Sequence, residues 1–178
     1  MAAPIKAILI AIIASAALFV LTHLALFFPF YMTIIVETFN LANVAANDNY
    51  VKQMHYDAAF ERLTQDRHLF SKTWQWDSGS GPDAGWANGN VRIRVLNSDN
   101  ERAVGSNNEF DYIDPAFIGT KPYRQRGELI TVYVGAAYPI EISMWNWTFR
   151  HTIDVSFSMD TIGLRYYKDL DLLTYEGY

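Results

Sequence analysis

Thirty residues, AILIAIIASAALFVLTHLALFFPFYMTIIV from Ala7 to Val36, carry no formal charge and are bracketed by Lys6 and Glu37. As a helix this run reaches ~45 Å at ~1.5 Å per residue, whereas a bilayer core needs about 20 residues. The segment is long enough to span a membrane and overrun it. Past Glu37 the apolar positions thin to Phe39, Leu41, Val44, Tyr50, Val51 and Met54, at spacings near three and four among Asn40, Asn43, Asn47, Asp48 and Asn49. That spacing predicts an amphipathic extension of the same helix to about residue 56. The Asn47-Asp48-Asn49 cluster loosens it, because Asn and Asp compete with helical backbone bonds. Asp57 then reads as the N-cap of a short further helix ending near Leu69.

Beyond Leu69 the period changes from helical to alternating. Thr73 to Trp76 reads as a short strand, and the Gly/Ser/Pro-rich stretch from Asp77 as a loop. Val91 to Leu96 alternates apolar and basic residues, the pattern of a half-buried strand. Residues 97–126 read as a long excursion with little regular structure. Ile130 to Val134 is a strand, and Pro139 bounds or interrupts the next part, Ile140 to Met144. Thr152 to Met159 alternates for eight residues, with Leu164 to Tyr167 as an extension past Gly163. Leu129 to Trp147 is apolar enough to suggest a second span, but Glu141, Pro139 and the alternation favour a two-faced strand pair. The fold expected is α+β, with a long N-terminal helix over 1–56 and an external β-rich domain over 57–178.

A cleaved secretory signal is the rival reading of the first segment. Its apolar core is typically ~7–15 residues, about half the length seen here. Lys6 on the N-terminal flank, with Glu37 and Asp48 beyond, orients the N-terminus to the cytoplasm and the remaining ~140 residues outside. Three residues of the run stand out as candidates for helix–helix assembly. Thr22 bonds back to a carbonyl one turn earlier. His23 is an ionisable group at membrane depth, read first as a neutral imidazole bonded to backbone or to a neighbouring helix. Pro29 removes one helical hydrogen bond and is expected to kink or loosen the helix, so packing neighbours are needed to satisfy the freed carbonyl.

Composition narrows the remaining chemistry. The 178 residues include no Cys and have a formal net charge of −5, which excludes disulfides and thiolate chemistry and argues against a nucleic-acid partner. His55, His68 and His151 form no metal-binding spacing. Asp77 to Asp83, and Asn97 with Asp99 and Glu101, are oxygen-rich but lack the frame of an EF-hand loop. No phosphate loop, nucleophile elbow or paired-acid frame is present, so neither an enzyme nor a cofactor is expected. Asn146-Trp147-Thr148 matches the N-glycosylation acceptor pattern. The tryptophans Trp74, Trp76, Trp86, Trp145 and Trp147 read as domain core, membrane-interface or subunit contacts. A carbohydrate-stacking face is the third option for them. The tail tyrosines Tyr166, Tyr167, Tyr175 and Tyr178 also suit a subunit contact.

The order of elements resembles pilins and pilin-like proteins, and more specifically the TadE-like group. The residues carrying the resemblance are the exit Leu41-Ala-Asn-Val-Ala-Ala-Asn47, Gly127-Glu-Leu-Ile-Thr-Val-Tyr-Val134, and the closing run from Ile153 to Tyr167. Ile5 stands where mature type IV pilins carry Glu, and Lys6 follows, a departure from the pattern that leaves prepilin-peptidase processing an open question. The resemblance implies a structural subunit of an extracellular filament. Such a subunit is held in the membrane before assembly and polymerises with copies of itself through its apolar helix. The alternative is a single-pass anchored accessory protein of a secretion, conjugation or envelope system.

Overall fold

The computed structural model describes residues 2–65, 87–88, 91–112, 121–144, 147–168 and 170. Helix α1, Ala2–Asp48, is followed by strand β1, Val51–Lys52, and helix α2, Gln53–Gln65. Four strands, β2 (Ala87–Asn88), β3 (Val91–Asn97), β5 (Leu129–Met144) and β6 (Trp147–Ile162), form an antiparallel sheet in the order β2-β3-β5-β6. Strand β4, Val104–Gly105, pairs parallel with β1, and a 3-10 turn covers Glu109–Tyr112. The fold is α+β, as the sequence pattern predicts.

Helix α1 meets the sheet along one stripe. Phe30, Ile34, Glu37, Thr38, Leu41, Ala42 and Ala45 are buried, and their steps of three and four keep them on one side of a 3.6-residue helix. Ile130, Val132, Val134 and Ala136 of β5 lie on the sheet face that packs against α1, and Val91, Ile93 and Val95 of β3 continue that face toward α2, all buried. The register sets Ile93 beside Val134 and Val95 beside Val132, so alternate residues of both strands form one apolar face, covered by α1 over β5 and by α2 over β3. The far face is polar. There Arg92 and Arg94 lie 5.5 and 5.8 Å from the Tyr133 ring, and the Thr131 hydroxyl donates to Asp160 at 2.7 Å.

The single helix expected over 1–56 divides in two. Asn49 stands at φ 58°, a left-handed conformation that Asn tolerates and that ends a helix. The chain turns there, and α2 starts at Gln53 rather than at Asp57. Its first turn is capped from outside, with the Met54 N–H donating to Asn107 Oδ1 at 2.7 Å. Tyr56, Ala59, Phe60 and Leu63 are the buried stripe of α2. The Tyr56 hydroxyl donates to the Ile93 carbonyl at 2.9 Å, and Arg62 forks onto both Glu37 oxygens at 2.8 Å.

Pro139 does not divide the sheet. Strand β5 runs through it to Met144, and all sixteen of its residues pair with β6. β3 stops pairing at Ala136, so among the described residues β5 has only β6 as a partner from Ala137 onward, the setting in which a residue lacking an N–H is tolerated. β6 ends at Ile162 without extending to Tyr167. Instead Gly163 turns the chain beneath Asn49, and a Cβ there would stand 2.6 Å from the Asn49 side-chain carbon. The expected strand at Thr73–Trp76 and the loop from Asp77 lie outside the described residues.

Candidate functional site

α1 carries two different surfaces along its length. From Pro4 to Leu26 no described residue is buried, and Ile10, Leu18 and Leu24 are 64, 67 and 62 % exposed. Within this half only Phe19 and His23 are half-buried. The half is ~34 Å long, close to the ~30 Å of a bilayer core, and α1 is long and apolar enough to cross a membrane. From Phe27 onward one side of the helix is held by the sheet. The other side stays apolar and uncovered at Phe28, Met32 and Val36, spaced four apart.

A cluster of rings marks the change. Tyr138 of β5 is set edge-on against Phe27 and Phe30, with centroids 5.3 and 5.0 Å apart, an arrangement favoured by the ring quadrupoles. His23 lies edge-on to it at 6.3 Å and packs on Phe19 at 4.3 Å. The Tyr138 hydroxyl sits 3.3 Å from the His23 carbonyl oxygen and 3.4 Å from His23 Nδ1, so it donates to one or the other. Burial pushes the Tyr138 hydroxyl pKa upward, which keeps it protonated and able to donate. Aromatic residues with one polar end suit a membrane–water boundary.

The three assembly candidates separate on this geometry. His23 belongs to the ring cluster, bonded within its own chain to Tyr138. Thr22 points elsewhere, and its hydroxyl donates back to the Leu18 carbonyl at 2.8 Å. Pro29 sits inside α1, which runs on through it as one helix. Its missing N–H removes the usual partner of the Ala25 carbonyl, while its own carbonyl accepts from the Thr33 hydroxyl at 3.0 Å. Phe30 and Ile34, fully buried on the sheet, hold the next turn of the helix.

The side-chain oxygens at Asn97, Asp99 and Glu101 are engaged within the protein. Asn97 Oδ1 accepts from the Asp99 and Glu101 N–H groups at 2.9 Å. Arg124 pairs with Asp99 at 2.8 Å and also with Glu101. Among the described residues no three His, Asp or Glu side chains are placed to hold a metal ion. Asn146, His68, Trp74, Trp76, Trp86, Trp145 and the Asp77–Asp83 loop lie outside the described residues.

Sequence reasoning did not single out three groups that organise this region. Tyr138 was one apolar position among many. Glu37 was only the end of an uncharged run, yet it is buried and paired with Arg62. Asn49 was a helix-loosening residue, whereas its carboxamide holds three chain segments together. Its Nδ2 donates to the carbonyls of Arg124 and Arg165 at 2.9 and 2.6 Å, and its Oδ1 accepts from the Arg165 N–H at 2.9 Å. The consecutive Asn and Asp residues at the end of the apolar stripe were the available signal. No family model matches the chain, and no curated protein or solved structure matches it either.

Proposed function

We propose that this protein is the structural subunit of an extracellular filament, held in the membrane by α1 before assembly and polymerised through the same helix afterwards. The observation that carries the reading is the stripe Phe28, Met32 and Val36, exposed on the side of α1 away from the sheet. A bilayer accounts for the helix up to about Leu26. The stripe continues ~15 Å further, alongside a domain whose outer face is polar. Apolar surface in that position is normally covered by another protein. A half-free, half-sheet-bound helix also matches the plan implied by the resemblance to pilin-like proteins.

The anchored-accessory reading has its own support, since the unburied half of α1 is close to one bilayer thickness. Electron microscopy of the full chain after detergent removal separates the two. The filament reading expects polymers, and expects Met32→Lys to abolish them while circular dichroism shows the domain still folded. Small detergent-dependent particles alone would leave the anchored reading, and polymers indifferent to Met32→Lys would show that assembly does not use this stripe.

A further inference from the structure

The β5–β6 hairpin has an uncovered inner side. Odd positions of β6 face α1 near its base, where Val155 is buried and Phe157 stacks on Phe39 with centroids 6.2 Å apart. Alternation puts Ile153, His151 and Phe149 on that same side, and Ile153 pairs with Tyr138, the residue that touches His23 and Phe30. Beyond Tyr138, though, the helix no longer covers the hairpin. Ile153 and Phe149 are 40 and 44 % exposed. Ile140, paired with His151, is half-buried beside them.

Height and open edges decide what covers this side. β5 starts where Gly163 and Leu164 meet the C-terminal end of α1, with the Leu164 N–H donating to the Ala46 carbonyl at 2.8 Å. It then runs toward the N-terminal end and passes His23 at Tyr138. Six more residues, ~20 Å of strand, carry the hairpin into the height range of the unburied half of α1. Lipid is the wrong filling. Past Ala136 β5 loses β3, and β6 is the last strand in the order, so among the described residues no further strand pairs along either border of the ribbon. Open sheet edges do not persist in hydrocarbon. The register also sets Glu141 opposite Arg150, two charges that disfavour the bilayer interior.

We propose that the inner side of the hairpin, at Ile140, Phe149 and Ile153, receives the Pro4–Leu26 half of α1 from a second copy of this chain. This rests on the filament reading and names the surface that assembly uses. The occupant is an apolar helix long enough to lie along the hairpin, and the chain itself carries one that its own domain leaves uncovered. The surface offered and the surface received differ, so the contact is heterologous. Each added copy exposes the same site again, which builds an open fibre rather than a closed dimer.

The absence of Cys makes the test direct. Ile153→Cys is co-expressed in the full chain with Ile10→Cys, Leu18→Cys or Leu24→Cys, and membranes or filaments are treated with a bismaleimide. At least one pairing is expected to give a mixed dimer that neither variant forms alone. A photo-crosslinking residue at position 153 is expected to label a second copy. Labelling of lipid, or no mixed dimer with any of the three, overturns the proposal. Ile153→Asp, folded by circular dichroism, is expected to lower polymer yield at least tenfold, and unchanged polymer would also overturn it. Filaments without the crosslink refute this contact and leave the filament reading standing. The crosslink without filaments keeps the contact and refutes the filament.

Discussion

Replacing Asn49 tests how the helix end is locked to the sheet. The residue is 1 % exposed, sits at φ 58°, and makes three hydrogen bonds to Arg124 and Arg165 backbone groups. Asn49→Ala removes all three and forces a Cβ residue without a local polar partner into left-handed backbone. Each backbone group left without a partner costs about 1 kcal/mol or more, and the conformation adds about 1 kcal/mol. The expected loss is about 3 to 5 kcal/mol. Asn49→Gly loses the same bonds but tolerates the backbone, so it is expected to recover about 1 kcal/mol relative to Ala. Asn49→Asp keeps the acceptor for Arg165 N–H but aims a carboxylate oxygen at two carbonyls, and is expected to be no better than Ala. Gly163→Ala attacks the same lock from the other side, through the Cβ that would collide with Asn49. The assay is denaturant unfolding of the full chain in detergent micelles, read by near-ultraviolet circular dichroism so that domain packing is followed rather than the helix. An Asn49→Ala loss under about 1 kcal/mol, or a Gly variant as poor as Ala, would refute the assignment of Asn49 as both cap and clamp.

Three further outcomes are expected. Phe30→Ala empties a fully buried site between α1, β5 and Tyr138 and should cost about 3 to 5 kcal/mol in the same assay, whereas Phe28→Ala on the exposed side should cost less than about 1 kcal/mol. Burial pushes the Tyr56 hydroxyl up to about 12, with Arg102 opposing and Asp57 reinforcing the shift. The raised pKa means the folded state holds its proton longer than the unfolded chain. Stability from this group is therefore intact below pH ~10 and lost by about 2 to 3 kcal/mol as pH climbs toward ~12. Tyr56→Phe should flatten that part of the profile, and an unchanged slope would count against the assignment. Arg62→Ala leaves Glu37 buried without its fork and should destabilise by about 1 to 2 kcal/mol, less than a fully buried pair because Arg62 is half exposed. A double-mutant cycle with Glu37→Gln should show coupling, and strict additivity would show that the pair contributes nothing.

The elements were legible where one period held for several turns. The apolar run fixed α1, and the alternation at Val91–Leu96 and Thr152–Met159 fixed β3 and the core of β6. Length alone showed that the helix exceeds a membrane. What the pattern could not show was where the excess goes. Phe27 to Val36 is uncharged and mostly apolar, and nothing local says that Phe30 and Ile34 face a sheet while Phe28 and Met32 do not. That division depends on β5 and β6, roughly a hundred residues later in the chain. The helix end was misplaced because spacing continues across Asn49, and only the left-handed backbone at one residue stops it. Pro139 misled for a related reason. A proline argues against an inner strand, and among the described residues β5 pairs with β6 alone where Pro139 occurs. Of the assembly candidates, His23 gained a specific partner in Tyr138, a contact between residues 115 positions apart that no local motif encodes.

The stitching at the C-terminal end of α1 also has a mechanical consequence. β6 leaves the sheet at Ile162 and is tied at once to the helix through Leu164 to Ala46, Arg165 to Asn49 and the Tyr167 hydroxyl to the Asp48 carbonyl at 2.6 Å. Helix and hairpin run lengthwise along one another. A pull along α1 with the domain held therefore loads these bonds and the Phe30–Ala45 stripe in shear, all together, instead of peeling them one at a time. A fibre made of such subunits would carry tension through its helices, and each domain would resist being stripped from its own stalk.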